Sequence, residues 1–290
     1  MSKIQWTDET WNPVTGCSKV SKGCLNCYAE RDWSRVYGEG APAAMKEQYG
    51  VRKFPAVMMH EARLDQPLRW KRPRMVFCNS MSDMFHEDIP FEFIDKVFAV
   101  MALASQHTFQ ILTKRPERMH EYCSRGPSDL YHSINDAAQE ITGRDIAVLP
   151  TAKHGMVPGI WPLPNVWLGV SVEDSKVAPK RVGLLCDTPA AVRFVSAEPM
   201  LHWVDLGLDA WFKSDYFHER TQDPAGSVKT SSLIDWVIAG GESGPEARQC
   251  NVQWIRAVVE DCRNAGVACF VKQLGANVVW NGGSRPGEHW

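Results

Sequence analysis

The sequence predicts an α/β fold, a partial (β/α) TIM-like barrel of about six or seven parallel strands, on three observations. Short apolar runs recur along the chain, segments of helical spacing lie between many of them, and the runs end in polar clusters. Runs this short and rich in Val, Ile and Phe suit strands buried on both faces. They fall at Met75 to Cys78, Phe109 to Leu112, Val166 to Val170, Val192 to Val195, Trp236 to Ala239 and Ala268 to Val271. A first strand is expected around Lys3 to Trp6, leading into a cysteine-bearing loop and a helix from about Tyr28 to Val36. Asp88, Ile89 and Pro90 read as a helix N-terminal cap, with Phe93, Val97, Val100 and Met101 on one face. Another helix follows Asn251, where Trp254, Ile255, Val258, Val259 and Cys262 precede a glycine stop at Gly266. The stretches 124–164 and 206–232 interrupt the repeat and are expected as insertions in a single domain over 1–290, placed to form a lid or recognition surface.

Composition narrows the function classes. A chain of 290 residues, 44% hydrophobic, can bury a large core. No stretch reaches the length of a membrane span, and Met1 to Asp8 carries no apolar signal region, so a cytoplasmic protein is expected. In that reducing setting nine cysteines argue against a disulfide framework, and the clustering of three argues for metal ligation. Cys78, Cys123, Cys186, Cys262 and Cys269 read as small buried hydrophobes, whereas Cys250, after the Gly240-Gly241-Glu242 run, is a candidate fourth ligand or reactive thiol. The net charge of −2 gives no general attraction for nucleic acid. One local exception, Arg69-Trp70-Lys71-Arg72-Pro73-Arg74, combines cations with an aromatic and makes nucleic acid a candidate partner; a solvated basic turn is the competing reading.

The run Gly16-Cys17-Ser18-Lys19-Val20-Ser21-Lys22-Gly23-Cys24-Leu25-Asn26-Cys27-Tyr28 carries the chemistry. Three thiolates are one too few for a closed zinc site, so zinc here needs a fourth ligand from elsewhere. A [4Fe-4S] cluster on three cysteines leaves one iron free for a cofactor. The arrangement resembles the cluster loop of radical S-adenosylmethionine (SAM) enzymes. It departs from their pattern in having six residues between Cys17 and Cys24 instead of three, and Asn26 in place of the aromatic before the third cysteine. Trp11 to Cys17, Asn79 to Asp83, Leu112 to Pro116, Gly240 to Pro245 and Val271 to Gly275 are similar to motifs of an uncharacterised, phage-associated three-cysteine family.

The radical SAM resemblance implies a [4Fe-4S] cluster on Cys17, Cys24 and Cys27, SAM at its open iron, and an electron donor such as flavodoxin or ferredoxin. It further implies reductive cleavage of SAM and hydrogen abstraction from a substrate; the similarity to a phage-associated family makes a nucleic-acid base, in DNA or RNA modification or repair, the first class to test. Polar strand ends supply the remaining candidates, because ligands of parallel α/β folds gather there. Asn79, Ser80 and Asp83 stand where the SAM amino group is held, although the usual Gly-Gly-Glu is absent. Lys114 and Arg115 are candidates for the SAM carboxylate or an anionic substrate, Ser171 and Glu173 for ribose or carboxylate contacts, and Gly240, Gly241 and Glu242 for close approach and a polar contact. Glu198, Lys272 and Cys250 are the candidate catalytic groups. Two alternatives stand beside this reading: a non-catalytic zinc or iron-sulfur protein that binds nucleic acid through Arg69 to Arg74, and a zinc hydrolase using Glu198 or Glu242.

Overall fold

The computed structural model describes residues 4–36, 40–44, 46, 54, 56–149, 161–208 and 233–280. In chain order the elements are β1 (Glu9–Trp11), β2 (Val14–Thr15), α1 (Tyr28–Val36), β3 (Met58–Met59), β4 (Met75–Cys78), α2 (Phe91–Leu103), β5 (Thr108–Thr113), α3 (Pro116–Cys123) and α4 (Pro127–Thr142). Then follow β6 (Val166–Ser171), α5 (Ala178–Asp187), β7 (Val192–Ala197), β8 (Trp236–Gly240), β9 (Cys250–Asn251), α6 (Val252–Ala265), β10 (Ala268–Gln273) and β11 (Val278–Val279). Seven strands form one sheet in the order β1-β4-β5-β6-β7-β8-β10. Sheet order follows chain order without reversal, as in a singly wound β/α sheet, and this is compatible with a partial TIM-like barrel. The two short pairs, β2 with β3 and β9 with β11, lie outside that sheet.

Six of the expected strands are found where the apolar runs lie; the first is not. The chain turns at Ile4 to Thr7, and Thr7 and Asp8 then tie to Met75, at the start of β4: Thr7 Oγ1 donates to Met75 O at 2.8 Å and Met75 N donates to Asp8 Oδ2 at 2.8 Å. Pairing therefore begins later, at Glu9 with Val76. A strand reading Glu-Thr-Trp has too little apolar character to announce itself, and only Trp11 of the three is buried. The cap of α2 also differs from expectation. Pro90, with extended backbone, occupies the cap position, while Asp88 is held back through its N–H to His86 Nδ1 at 3.1 Å.

The chain divides into two compact units, each with its own core: residues 1–169 with 188–191, and residues 170–187 with 192–290. In the first, Trp11 packs on Phe109 with ring centroids 5.7 Å apart and donates its indole N–H to Arg63 O. Phe98, Tyr122 and Ile94 fill the helical layer beside it. The stretch 124–164 contributes α4 to that layer, where Leu130, Ile134 and Ala138 are buried and Lys96 of α2 pairs with Glu140 at 2.6 Å. In the second unit Phe194, Val237, Ile238 and Ala239 of β7 and β8 are buried with Ile255, Val258 and Cys262 of α6. Asn251 caps α6 by accepting from Gln253 N, and Gly266 ends it at φ 67°. The expected insertion 206–232 lies outside the described residues except for Leu206 to Leu208. Among the described residues no helix is long and apolar enough to cross a membrane.

Candidate functional site

In the first unit the cysteine loop leaves β2, passes Cys17, Cys24 and Cys27 and enters α1. Its base is fixed at Gly16, which bridges to Ser82 after β4: Gly16 N donates to Met81 O at 3.0 Å and Ser82 Oγ donates to Gly16 O at 2.6 Å. A side chain at Gly16 is excluded twice, by its φ of 89° and because a Cβ would stand 1.9 Å from Ala56 O. Asn79, in the left-handed region at φ 62°, turns the chain off β4, a conformation Asn tolerates better than most residues. Its side-chain oxygen accepts from Val14 N, Ser80 Oγ donates to Asn12 Oδ1, and Tyr28 donates its hydroxyl to Ser80 O at 2.5 Å. Asn79 and Ser80 thus fasten the strand end beneath the loop.

Asp83 is buried and carries four partners. Its Oδ1 accepts from Thr113 Oγ1 at 2.7 Å and Phe85 N at 3.0 Å, and its Oδ2 from Lys114 N at 2.9 Å and Arg115 Nη1 at 3.5 Å. Arg115, also buried, reaches from β5 to the loop, donating to Ser18 Oγ at 2.7 Å, Ser18 O at 3.2 Å and Cys17 Sγ at 3.5 Å. Burial, with Asp83 adding to it, pushes the Cys17 thiol up to about 11 against the opposing pull of Arg115. His86, held below its usual pKa chiefly by burial, approaches Ser18 Oγ at 2.8 Å. Ser18, His86 and Glu87 were not singled out from the sequence. The only available signal was their position, next to Cys17 and just past the Asn79 to Asp83 motif.

Cys17, Cys24 and Cys27 are all partly exposed, whereas five of the other six cysteines are buried. Cys27 directly precedes α1, its carbonyl accepting from Arg31 N at 3.1 Å. The positive end of the helix dipole therefore lies at the last cysteine, a favourable place for an anionic cluster. Among the described residues no three Cys, His, Asp or Glu side chains are already gathered as a metal-holding group. The donor set itself, three accessible soft ligands on one loop with an arginine beside the first, fits a thiolate-ligated cluster.

The second unit holds its own group at strand ends. Glu173, after β6, is buried and paired with buried Arg181 at 2.7 Å; the same guanidinium donates to Ser171 O. Glu242, after β8, receives Arg248 through the backbone N–H, Nε and Nη2, at 2.9, 2.9 and 2.5 Å. Glu198 stands over Gly240, where a Cβ would come within 2.7 Å of its Oε1, and meets Lys272 at 3.2 Å and Ser196 Oγ at 3.3 Å. Between Val271 and Gln273 the β8–β10 register slips, so Lys272 is the extra residue of a bulge, a device that re-aims a side chain. A Cβ at Gly241 would meet Leu274 O at 2.3 Å. Cys250 is buried against that same point, with burial raising its thiol to about 11.

The pattern of one family, described as "Protein of unknown function (DUF5131)", matches residues 1–285. The chain belongs to that family. No curated protein and no solved structure matches it. In this DUF5131 member the basic run just before β4 is partly neutralised: Arg69 pairs with Asp65, and Arg74 pairs with Glu9 at 3.0 Å while lying over Trp70. The run sits at the amino-terminal end of β4, the opposite strand end from Asn79 and Asp83. Cys262 of α6 and Cys269 of β10, scattered in sequence, perturb each other's thiol, pushing that of Cys262 up and pulling that of Cys269 down.

Proposed function

We propose that the chain is a radical SAM-like iron-sulfur enzyme in which Cys17, Cys24 and Cys27 hold a [4Fe-4S] cluster. The observation that carries this reading is the loop itself: three partly exposed thiols between β2 and α1, beyond the carboxyl end of β1, with a buried arginine 3.5 Å from the first. The chemistry such a cluster supplies, with SAM at its open iron and an electron from a flavodoxin- or ferredoxin-type donor, is reductive cleavage of SAM and removal of a hydrogen atom from a substrate. The chain's own residues do the rest. Gly16, Asn79, Ser80 and Ser82 anchor the loop, and Asp83 orients Thr113 and Arg115 beneath it. Lys114, half-buried and without an ion pair among the described residues, is the cation available for a carboxylate. Buried Trp11 and Trp33 keep water from the inner side of this region. A nucleic-acid base is the first substrate class to test.

The deciding experiment uses protein purified without oxygen. Iron and sulfide content and the electron paramagnetic resonance spectrum of the reduced sample are compared with and without SAM. The expected result is a four-iron signal that changes on adding SAM and is absent from Cys24→Ala. Stoichiometric zinc, or a cluster indifferent to SAM, overturns the reading.

A further inference from the structure

The guanidinium of Arg115 has five N–H donors, and five contacts use them. Nε donates to Glu87 at 2.9 Å, Nη1 to Cys17 Sγ and Asp83 at 3.5 Å each, and Nη2 to Ser18 O and Ser18 Oγ at 3.2 and 2.7 Å. Its backbone is held as well, Arg115 N donating to Thr113 Oγ1 at 2.8 Å, while that hydroxyl donates to Asp83. No edge of the fork is left for the two-point grip on a carboxylate that makes arginine the usual choice for one.

Resting on the cluster reading above, we infer that Arg115 is a positioning residue and not a cofactor ligand: it straps the first cysteine of the loop to the ends of β4 and β5. Three of its five contacts go to Cys17 and Ser18, and the other two go to carboxylates on the segment after β4. It thereby joins a part-exposed loop to a buried frame, with charge-assisted bonds that are stronger than neutral ones. A cluster on Cys17 then carries an N–H···S contact and a fixed positive charge beside it, and both raise a cluster's reduction potential.

The test compares wild type, Arg115→Gln, Arg115→Lys and, because Arg115→Gln removes a buried charge and is the variant most exposed to misfolding, Glu87→Gln, whose side chain is 63% exposed. The first readout needs no cluster. Trypsin is applied to the metal-free proteins and cleavage after the exposed Lys19 and Lys22 is timed by mass spectrometry. Loss of the strap in Arg115→Gln should speed that cleavage about tenfold, with Glu87→Gln between it and wild type. The second readout is the midpoint potential of the reconstituted cluster without SAM, which should move to a more negative value in Arg115→Gln and stay near wild type in Arg115→Lys. Unchanged cleavage in both Arg115→Gln and Glu87→Gln overturns the inference. So does weakened SAM binding in Arg115→Gln with cleavage and potential unmoved, the pattern of a carboxylate ligand. If wild type takes up no cluster, the iron-sulfur reading falls while the cleavage rates still decide whether Arg115 is the strap.

Discussion

The two units spend their buried charge in opposite ways. In the first, Asp83 and Arg115 run from the rigid ends of β4 and β5 outward to a part-exposed loop, so that their bonds end on Cys17 and Ser18. In the second, Glu173 pairs with Arg181 and Glu242 with Arg248, each partner only a few residues further along the chain. A polar cluster at a strand end can thus hold a reactive loop or merely stabilise the turn it sits on. What separates these pairs is how far along the chain the partner lies, not which residue types take part. Glu198 with Lys272 belongs to neither pattern: it joins the ends of β7 and β10 and remains partly open, at 13% and 29% side-chain exposure.

The largest test of this contrast is on the thiols. Cys17→Ala or Cys27→Ala should abolish iron incorporation on anaerobic reconstitution, whereas Cys250→Ala should keep full iron content and lose only packing, at about 1 kcal/mol in urea unfolding. Iron lost with Cys250 would make it a ligand and remove the distinction. Next come the buried acids. Asp83→Ala strips partners from Thr113, two backbone N–H groups and Arg115, and Glu242→Ala removes the carboxylate that accepts three N–H groups of Arg248, so each should cost about 3–5 kcal/mol in the same assay. Only the first should also expose the cysteine loop to trypsin. A smaller effect is expected at Gly241→Ala, where the new methyl meets the Leu274 carbonyl, at about 1–3 kcal/mol. The smallest change in stability is expected for Lys272→Met, below about 1 kcal/mol because the pair is partly solvated. If Lys272 serves the substrate, that near-silent variant should nevertheless lose turnover once a substrate is in hand, and unchanged turnover would return the Glu198 pair to a structural role.

Much of this was legible in the sequence because it rests on local rules. The strands from Met75 onward show as unbroken apolar runs, α1 follows the cysteines over Tyr28–Val36, and Asn251 and Gly266 bound α6 by their own side-chain and backbone chemistry. The first strand was not legible, because β1 is three residues long and its signal is a single tryptophan; its place is set by Thr7 and Asp8 reaching Met75, far away in the chain. The stretch 124–164 read as a lid from its Gly, Pro, Ser and His content, yet it contains a 16-residue helix whose face became clear only against α2.

The sequence by itself determined the cysteine loop, the singly wound series of parallel strands and the presence of polar groups at their carboxyl ends, since these follow from residue type and period. Tertiary structure decided what each polar group does. Arg115 looks like any strand-end cation until its five N–H groups are traced to Cys17, Ser18, Asp83 and Glu87. Lys272 looks like a continuation of β10 until the slipped register turns it toward Glu198. Hydrogen-bond capacity is written in a residue, but its partners are assigned only when residues distant in the chain are brought within about 3 Å of each other.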